Sequence, residues 1–323
     1  MKPYRKISLF AIISSTIIII CNLFFISFGN DLEALSALGM LPTIMGILSG
    51  TLSAFNLNFF SYSLDFTYYQ WINLAFDLLF FCGGLLYLNK GKRMRILRFT
   101  FSVILLSKAL TFLSSFFYLP VDAANENLVK DLLFFGYYSL VNLAWIYFSF
   151  RVLKYLNGTR ELAVVPTEYS TGISNSYVES PNGTRLFHLV IDSVMIILIF
   201  SVPMITLFRS NIFGEFFNNM AAAFGPNIFA IFFLFFATAV YYIFFEVIFQ
   251  ASPAKFLSET RVLTVDGRPI DFTKSFARTL SRWIPFNALS FLFSRNGWHD
   301  RFSETTVLKE KENSEEKEEI TLS

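Results

Sequence analysis

Apolar residues in this chain come in long unbroken blocks separated by short polar stretches. About 20 consecutive apolar residues are needed for a helix to cross a hydrocarbon core roughly 30 Å thick. Six blocks reach that length: residues 7–28, 68–88, 100–119, 132–150, 186–208 and 228–249. Each predicts a transmembrane helix. A further apolar stretch, 34–55, is broken by Gly39, Pro42, Gly46 and Gly50, residues that interrupt helices. A span there would also turn the basic cluster at 90–98 to the outer face. It reads as interfacial or re-entrant, with a span as the alternative.

After the sixth block the pattern changes. Residues 261–270 alternate around Asp266-Gly267, a hairpin signal. In 272–284, Phe272, Phe276, Leu280 and Trp283 share one helical face. Lys274, Arg278 and Arg282 recur every fourth residue on another, which predicts a basic amphipathic helix on the membrane surface. Lys274, Arg278, Arg282 and Trp283 are the candidate contacts for anionic lipid headgroups. Residues 286–293 are too short to span, and 305–308 predict a short strand. From Lys309 onward the charge-rich run has no apolar period and predicts disorder. The organisation expected is a four-span unit at 1–154, a polar cytoplasmic linker at 155–181, two spans with a cytoplasmic flap at 182–308, and a disordered tail at 309–323. The fold class is all-α polytopic membrane protein, with about six transmembrane helices and a small flap of β-hairpin and amphipathic helix.

Composition agrees with the pattern. Of 323 residues, 54% are hydrophobic and only 15% charged, against about a quarter charged in soluble domains. A net charge of +2 points to no nucleic-acid partner. The distribution of charge says more. Twelve Lys and Arg fall in the loops and terminus on one side of the predicted spans and two on the other. That bias puts both termini in the cytoplasm. The first apolar run is too long for a signal peptide and reads as an uncleaved span. Cys21 and Cys82 lie inside apolar blocks with no metal-ligand spacing.

Charge within a span is costly, so the fifth block is distinctive. It opens on Arg185 and carries His188 and Asp192. An arginine at the start of a span with an aspartate two turns in resembles the RDD family of membrane proteins. Ser252-Pro253-Ala254-Lys255, Val265-Asp266-Gly267, and Trp298-His299-Asp300 followed by Thr305-Thr306-Val307 match its later motifs in order and spacing, with Ala254 where the family has glycine. The resemblance covers roughly 182–308 and makes Asp300 the second aspartate. It implies a membrane-embedded bundle with a cytoplasmic flap, and ion or solute transport as the usual suggestion.

Arg185, His188 and Asp192 fall at i, i+3 and i+7, one stripe of a helix. Arg185 and Asp192 are about 10 Å apart along the axis, so each needs another partner. Glu246, near the cytoplasmic end of the sixth span, and Asp300, on the flap with Lys255, are the candidates. Two readings stand: a cation or proton site, or a buried ionic clamp between spans and flap. Asp77 and Lys108, mid-span in the second and third helices, form a second candidate pair, with Asn142 in reach. Catalytic and metal-binding patterns are absent, so no enzyme and no cofactor is expected. The expected protein is a transporter of ions or small solutes in the bacterial plasma (inner) membrane. The alternative is a membrane scaffold or accessory subunit docking cytoplasmic partners, with a second copy of the chain or another protein as partner.

Overall fold

The computed structural model describes residues 2–29, 32–53, 66–89, 91–116, 128–169, 172–210, 213–284 and 297–312. In chain order the elements are α1 (Pro3–Phe28), α2 (Leu32–Ala37), α3 (Leu41–Leu52), α4 (Phe66–Leu88), α5 (Arg95–Ser115), α6 (Leu128–Gly158), β1 (Arg160–Leu162), β2 (Val164–Tyr169) and β3 (Gly172–Tyr177). They continue as α7 (Asn182–Arg209), α8 (Gly214–Phe224), α9 (Pro226–Phe249), α10 (Pro253–Leu257), β4 (Thr260–Thr264), α11 (Phe272–Arg282), α12 (Trp298–Ser303) and β5 (Thr305–Glu312). Helices α1, α4, α5, α6, α7 and α9 are long and apolar enough to cross a membrane. The chain is therefore an all-α polytopic membrane protein with a small β-structured attachment. The 12-residue α3 is about 18 Å long, short of a bilayer core. The described part of the 34–55 stretch is thus two short helices and not a span.

The chain divides into two compact units, Met1–Val152 with Leu198–Phe229, and Leu153–Ile197 with Ala230–Ser323. This differs from the division at 154 and 182 expected above, because α6, α7 and α9 each contribute residues to both units.

In the first unit α1 packs against α4 and α3, and α4 against α5. Gly84 permits the α1–α4 approach: a Cβ there would meet Ile12 and Ala11 at 3.0–3.3 Å. Small residues at such crossings let membrane helices pack closely. Trp145 of α6 donates its indole N–H to the Thr51 carbonyl at 2.8 Å, which fixes the end of α3. Cys21 is buried, whereas Cys82 lies on an exposed helix face.

The second unit corrects three expectations. Residues 155–181 are not a bare linker. Helix α6 continues to Gly158, and β1, β2 and β3 follow. The charged run from Lys309 begins as structure. Strand β5 extends through Glu312 and is the centre of an antiparallel sheet ordered β1-β5-β4. Its alternation explains this, since Glu310 turns inward to Arg261 at 2.8 Å while Lys309 and Lys311 stay exposed. The remaining tail, 313–323, and the segment 286–293 lie outside the described residues. The Asp266-Gly267 turn forms, with Gly267 at φ +79 and one bridge from Leu263 to Pro269. The main partner of β4 is nonetheless β5, not the strand after the turn.

The third correction concerns α11. Asp271 caps it, accepting the Lys274 N–H at 2.8 Å. Phe272, Phe276 and Leu280 form its exposed face, and Ser275, Arg278, Thr279 and Ser281 its buried one. The helix is amphipathic as expected, but its charges do not stand free for lipid. Arg278 and Arg282 turn into the unit against Glu246 and Asp300, and Lys274 pairs with Glu304 at 3.0 Å. Trp283 packs against Phe235 of α9, ring centres 5.1 Å apart. Buried acids within reach of a guanidinium outcompete water and headgroups, because an unpaired buried carboxylate is costly.

Candidate functional site: a buried polar chamber in the second unit

The stripe on α7 lies inside the second unit, with Arg185, His188 and Asp192 all buried. Each has its own partner. Arg185 forms an ion pair with Asp300 of α12. The same carboxylate receives Arg278 of α11, so one acid joins two guanidiniums. Arg278 also donates to the Thr305 hydroxyl at the start of β5. His188 lies 2.5 Å from the Ser258 hydroxyl and 3.3 Å from that of Thr260.

Asp192 contacts no cation within ion-pair distance among the described residues. It accepts three hydrogen bonds: from the Tyr241 hydroxyl at 2.7 Å, the Ser252 hydroxyl at 2.6 Å and the Ala254 backbone N–H at 3.1 Å. These tie α7 to α9 and to the first turn of α10. The bond to residue 254 comes from its backbone, so the chain can carry alanine there.

Glu246 of α9 collects the remaining cations: Arg282 at 2.7 Å, Lys255 at 3.2 Å and Arg278 Nε at 3.5 Å. It does not pair with Arg185, for which it was a candidate partner. The Arg282 guanidinium lies 3.6 Å from the centre of the Tyr242 ring, where the ring face attracts a cation.

These side chains line a partly open cavity of about 90 Å³. Arg185, His188 and Asp192 form one wall with Leu189, and Tyr242 another. Lys255, Arg278, Arg282, His299 and Val307 complete it. Burial pushes the Lys255 ammonium below its ordinary range, against the pull of Glu246 and Asp192. Burial, and then the neighbouring guanidinium of Arg278, holds the His299 imidazole well below its usual value. His299 is 3.5 Å from Asp300 but stays neutral, so this contact is not an ion pair near neutral pH.

Every residue in this constellation except Thr305 and Val307 falls within one segment of the chain. Residues 180–304 match the model of the RDD family. The C-terminal half therefore carries an RDD domain, as the motifs around Arg185, Asp192 and Asp300 implied. No curated protein and no solved structure matches the chain. Within the RDD domain, the first aspartate position is held by hydroxyls and a backbone amide, and the arginine by the second aspartate.

The other candidate pair lies in the first unit. Asp77 of α4 and Lys108 of α5 are both buried. They feel each other electrostatically without closing an ion pair. The hydrogen bond to Asp77 comes from Asn22 of α1 at 2.6 Å, a residue the sequence reading passed over; Asn142 is buried as well.

Tyr241, Tyr242, Ser252 and Ser258 were also not singled out from sequence. Polar residues near the ends of apolar spans are common, and nothing in their spacing points at Asp192 or His188. A usable signal existed for Arg278 and Arg282. Each lies on the helix that follows a buried glutamate and precedes the second aspartate.

Proposed function

We propose that the protein is a transporter of ions or small solutes in the bacterial plasma membrane, with both termini cytoplasmic and the polar chamber beside Asp192 and Glu246 as its binding station. The observation that carries this reading is the chamber itself. Charged side chains that served only to lock helices would close on one another, since empty space between buried charges forfeits contacts and solvation. Here they surround about 90 Å³ at the ends of two candidate spans. The excess of Lys and Arg in the loops on one side supports the orientation. The proposal assigns the protein no chemical transformation.

The alternative is a membrane scaffold or accessory subunit that docks cytoplasmic partners. One observation favours it: each of these carboxylates outside Asp192 holds more than one cation. Asp300 serves two arginines, and Glu246 three cations. Ion flux into liposomes carrying the purified protein, followed with an internal pH-sensitive dye under imposed ion gradients, separates the two. Transport predicts flux above empty liposomes that Asp192→Asn and Glu246→Gln abolish. Flux equal to empty liposomes, with the variants indistinguishable from the parent, removes the transport reading.

A further inference from the structure

We propose that the chamber is an oxyanion site, taking one phosphate or carboxylate group with a single negative charge. The group comes either from a small free anion or from the headgroup of an anionic lipid. This deepens the reading above by naming the charge class of what the chamber holds.

The first argument is charge balance. Among the described residues, four buried cations meet here: Arg185, Lys255, Arg278 and Arg282. Three buried carboxylates oppose them: Asp192, Glu246 and Asp300. With all ionised, one positive charge is left over. A buried charge without a counter-charge is expensive. A bound monoanion neutralises it.

The second argument is who has bonds to give. The carboxylates are poor ligands for an incoming cation, because all their oxygens but Glu246 Oε2 are already engaged by hydroxyls, an amide, an ammonium or guanidiniums. Donors, in contrast, are in surplus. Arg278 Nε and Arg282 Nη1 are buried atoms with no hydrogen-bond acceptor, and both residues border the cavity. The Arg278 side chain is only 1% exposed. Planar guanidinium forks match the geometry of carboxylate and phosphate oxygens better than a spherical ion. The cavity, about 90 Å³, far exceeds the roughly 10–15 Å³ that admits one water. It accepts a group of several heavy atoms.

The rival way to balance the charge is a neutral Lys255, and burial already pushes its ammonium in that direction. That arrangement needs no anion and predicts no response to one.

The test uses the full chain, purified in detergent and in nanodiscs. Sodium phosphate is titrated against sodium chloride at matched ionic strength, with the unfolding midpoint and calorimetric binding as readouts. One-to-one binding of phosphate, with a rise in midpoint that chloride does not give, is the expected result. Arg282→Lys keeps the charge beside Glu246 and loses the spare donor, so it should fold and bind about tenfold more weakly, a loss near 1.4 kcal/mol. Leu189→Asp puts a counter-charge into the wall and should abolish the response. Nanodiscs distinguish the source. A higher midpoint in phosphatidylglycerol than in phosphatidylcholine, with no further gain from phosphate, assigns the lipid headgroup. An equal phosphate effect in both lipids assigns a free anion. No response to phosphate or to phosphatidylglycerol overturns the proposal, as does a response that Arg282→Lys leaves unchanged. Binding without ion flux would sink the transport reading and leave this one standing. Flux with no anion binding does the reverse.

Discussion

Arg185 and Asp300, 115 positions apart in the chain, are joined in an ion pair with 2% and 0% of their side chains exposed. The pair closes the flap onto the first turn of α7. Because Asp300 also holds Arg278, the carboxylate is shared, and the two ends of the bridge are not equivalent.

That asymmetry is measurable. Asp300→Asn takes the shared acid from two buried guanidiniums, of which Arg278 keeps Glu246 at 3.5 Å, and should cost about 3–5 kcal/mol of stability. Arg185→Met leaves Asp300 still paired with Arg278 and should cost clearly less. Chemical unfolding in detergent micelles gives both values. Equal losses would show that Asp300 is not shared.

Tyr241→Phe deletes one of the three bonds to Asp192 with little change of shape. A hydrogen bond to a charged group is worth about 1.5–3 kcal/mol, and the same unfolding measurement should show a loss in that range. A loss near zero would mean that Ser252 and the Ala254 amide suffice to hold the carboxylate.

The neutral His299 makes stability fall in mild acid. Its folded value is depressed below the unfolded one, near 6.5. Above pH 6.5 both states are neutral and stability is complete. Below it the unfolded chain takes a proton that the folded chain refuses, so stability drops by up to about 1.4 kcal/mol per pH unit. Asp300 pulls the other way at 3.5 Å but is outweighed by burial and the guanidiniums of Arg278 and Arg282. His299→Gln should reduce the slope between pH 6.5 and about 5 without abolishing it, because His188 is a second buried imidazole. An unchanged slope would place the titration elsewhere.

The exposed face of α11 is apolar, so a spin label at Phe276→Cys should report contact with lipid. It should relax faster with oxygen, which partitions into the bilayer, than with a water-soluble nickel complex. Greater sensitivity to nickel would put that face in water.

In the first unit, Asn22→Ala removes the amide that Asp77 accepts from. A loss of about 1 kcal/mol is expected, within the span measured for polar contacts between membrane helices. In a double-mutant cycle with Asp77→Ala the two losses should fall short of additive. Strict additivity would mean that the bond contributes nothing.

What the chain revealed in advance divides along a physical line. The spans were legible because length and hydropathy are local properties, and so was the amphipathic helix over 272–284. The orientation of that helix was not legible. A basic residue every fourth position looks the same whether it faces headgroups or an interior, and the deciding residues, Glu246 and Asp300, come from other elements. The strand through Glu312 was hidden for a similar reason. Alternating Lys and Glu favour no structure until Arg160–Leu162 and Thr260–Thr264 arrive to pair with them. Arg185, Asp192 and Asp300 were found through family motifs, but their partners are set by tertiary packing alone.

The separation of Arg185 from Asp300 also has a meaning in time. At about 5–20 residues per second, the counter-charge of Arg185 leaves the ribosome on the order of ten seconds after the arginine itself. During that interval α7 and α9 must be accommodated with Arg185 lacking Asp300 and Glu246 lacking Arg278 and Arg282. The domain becomes electrically complete only when α12 and β5 emerge. The last short helix to be made is therefore the one that commits the earlier two spans to their final arrangement.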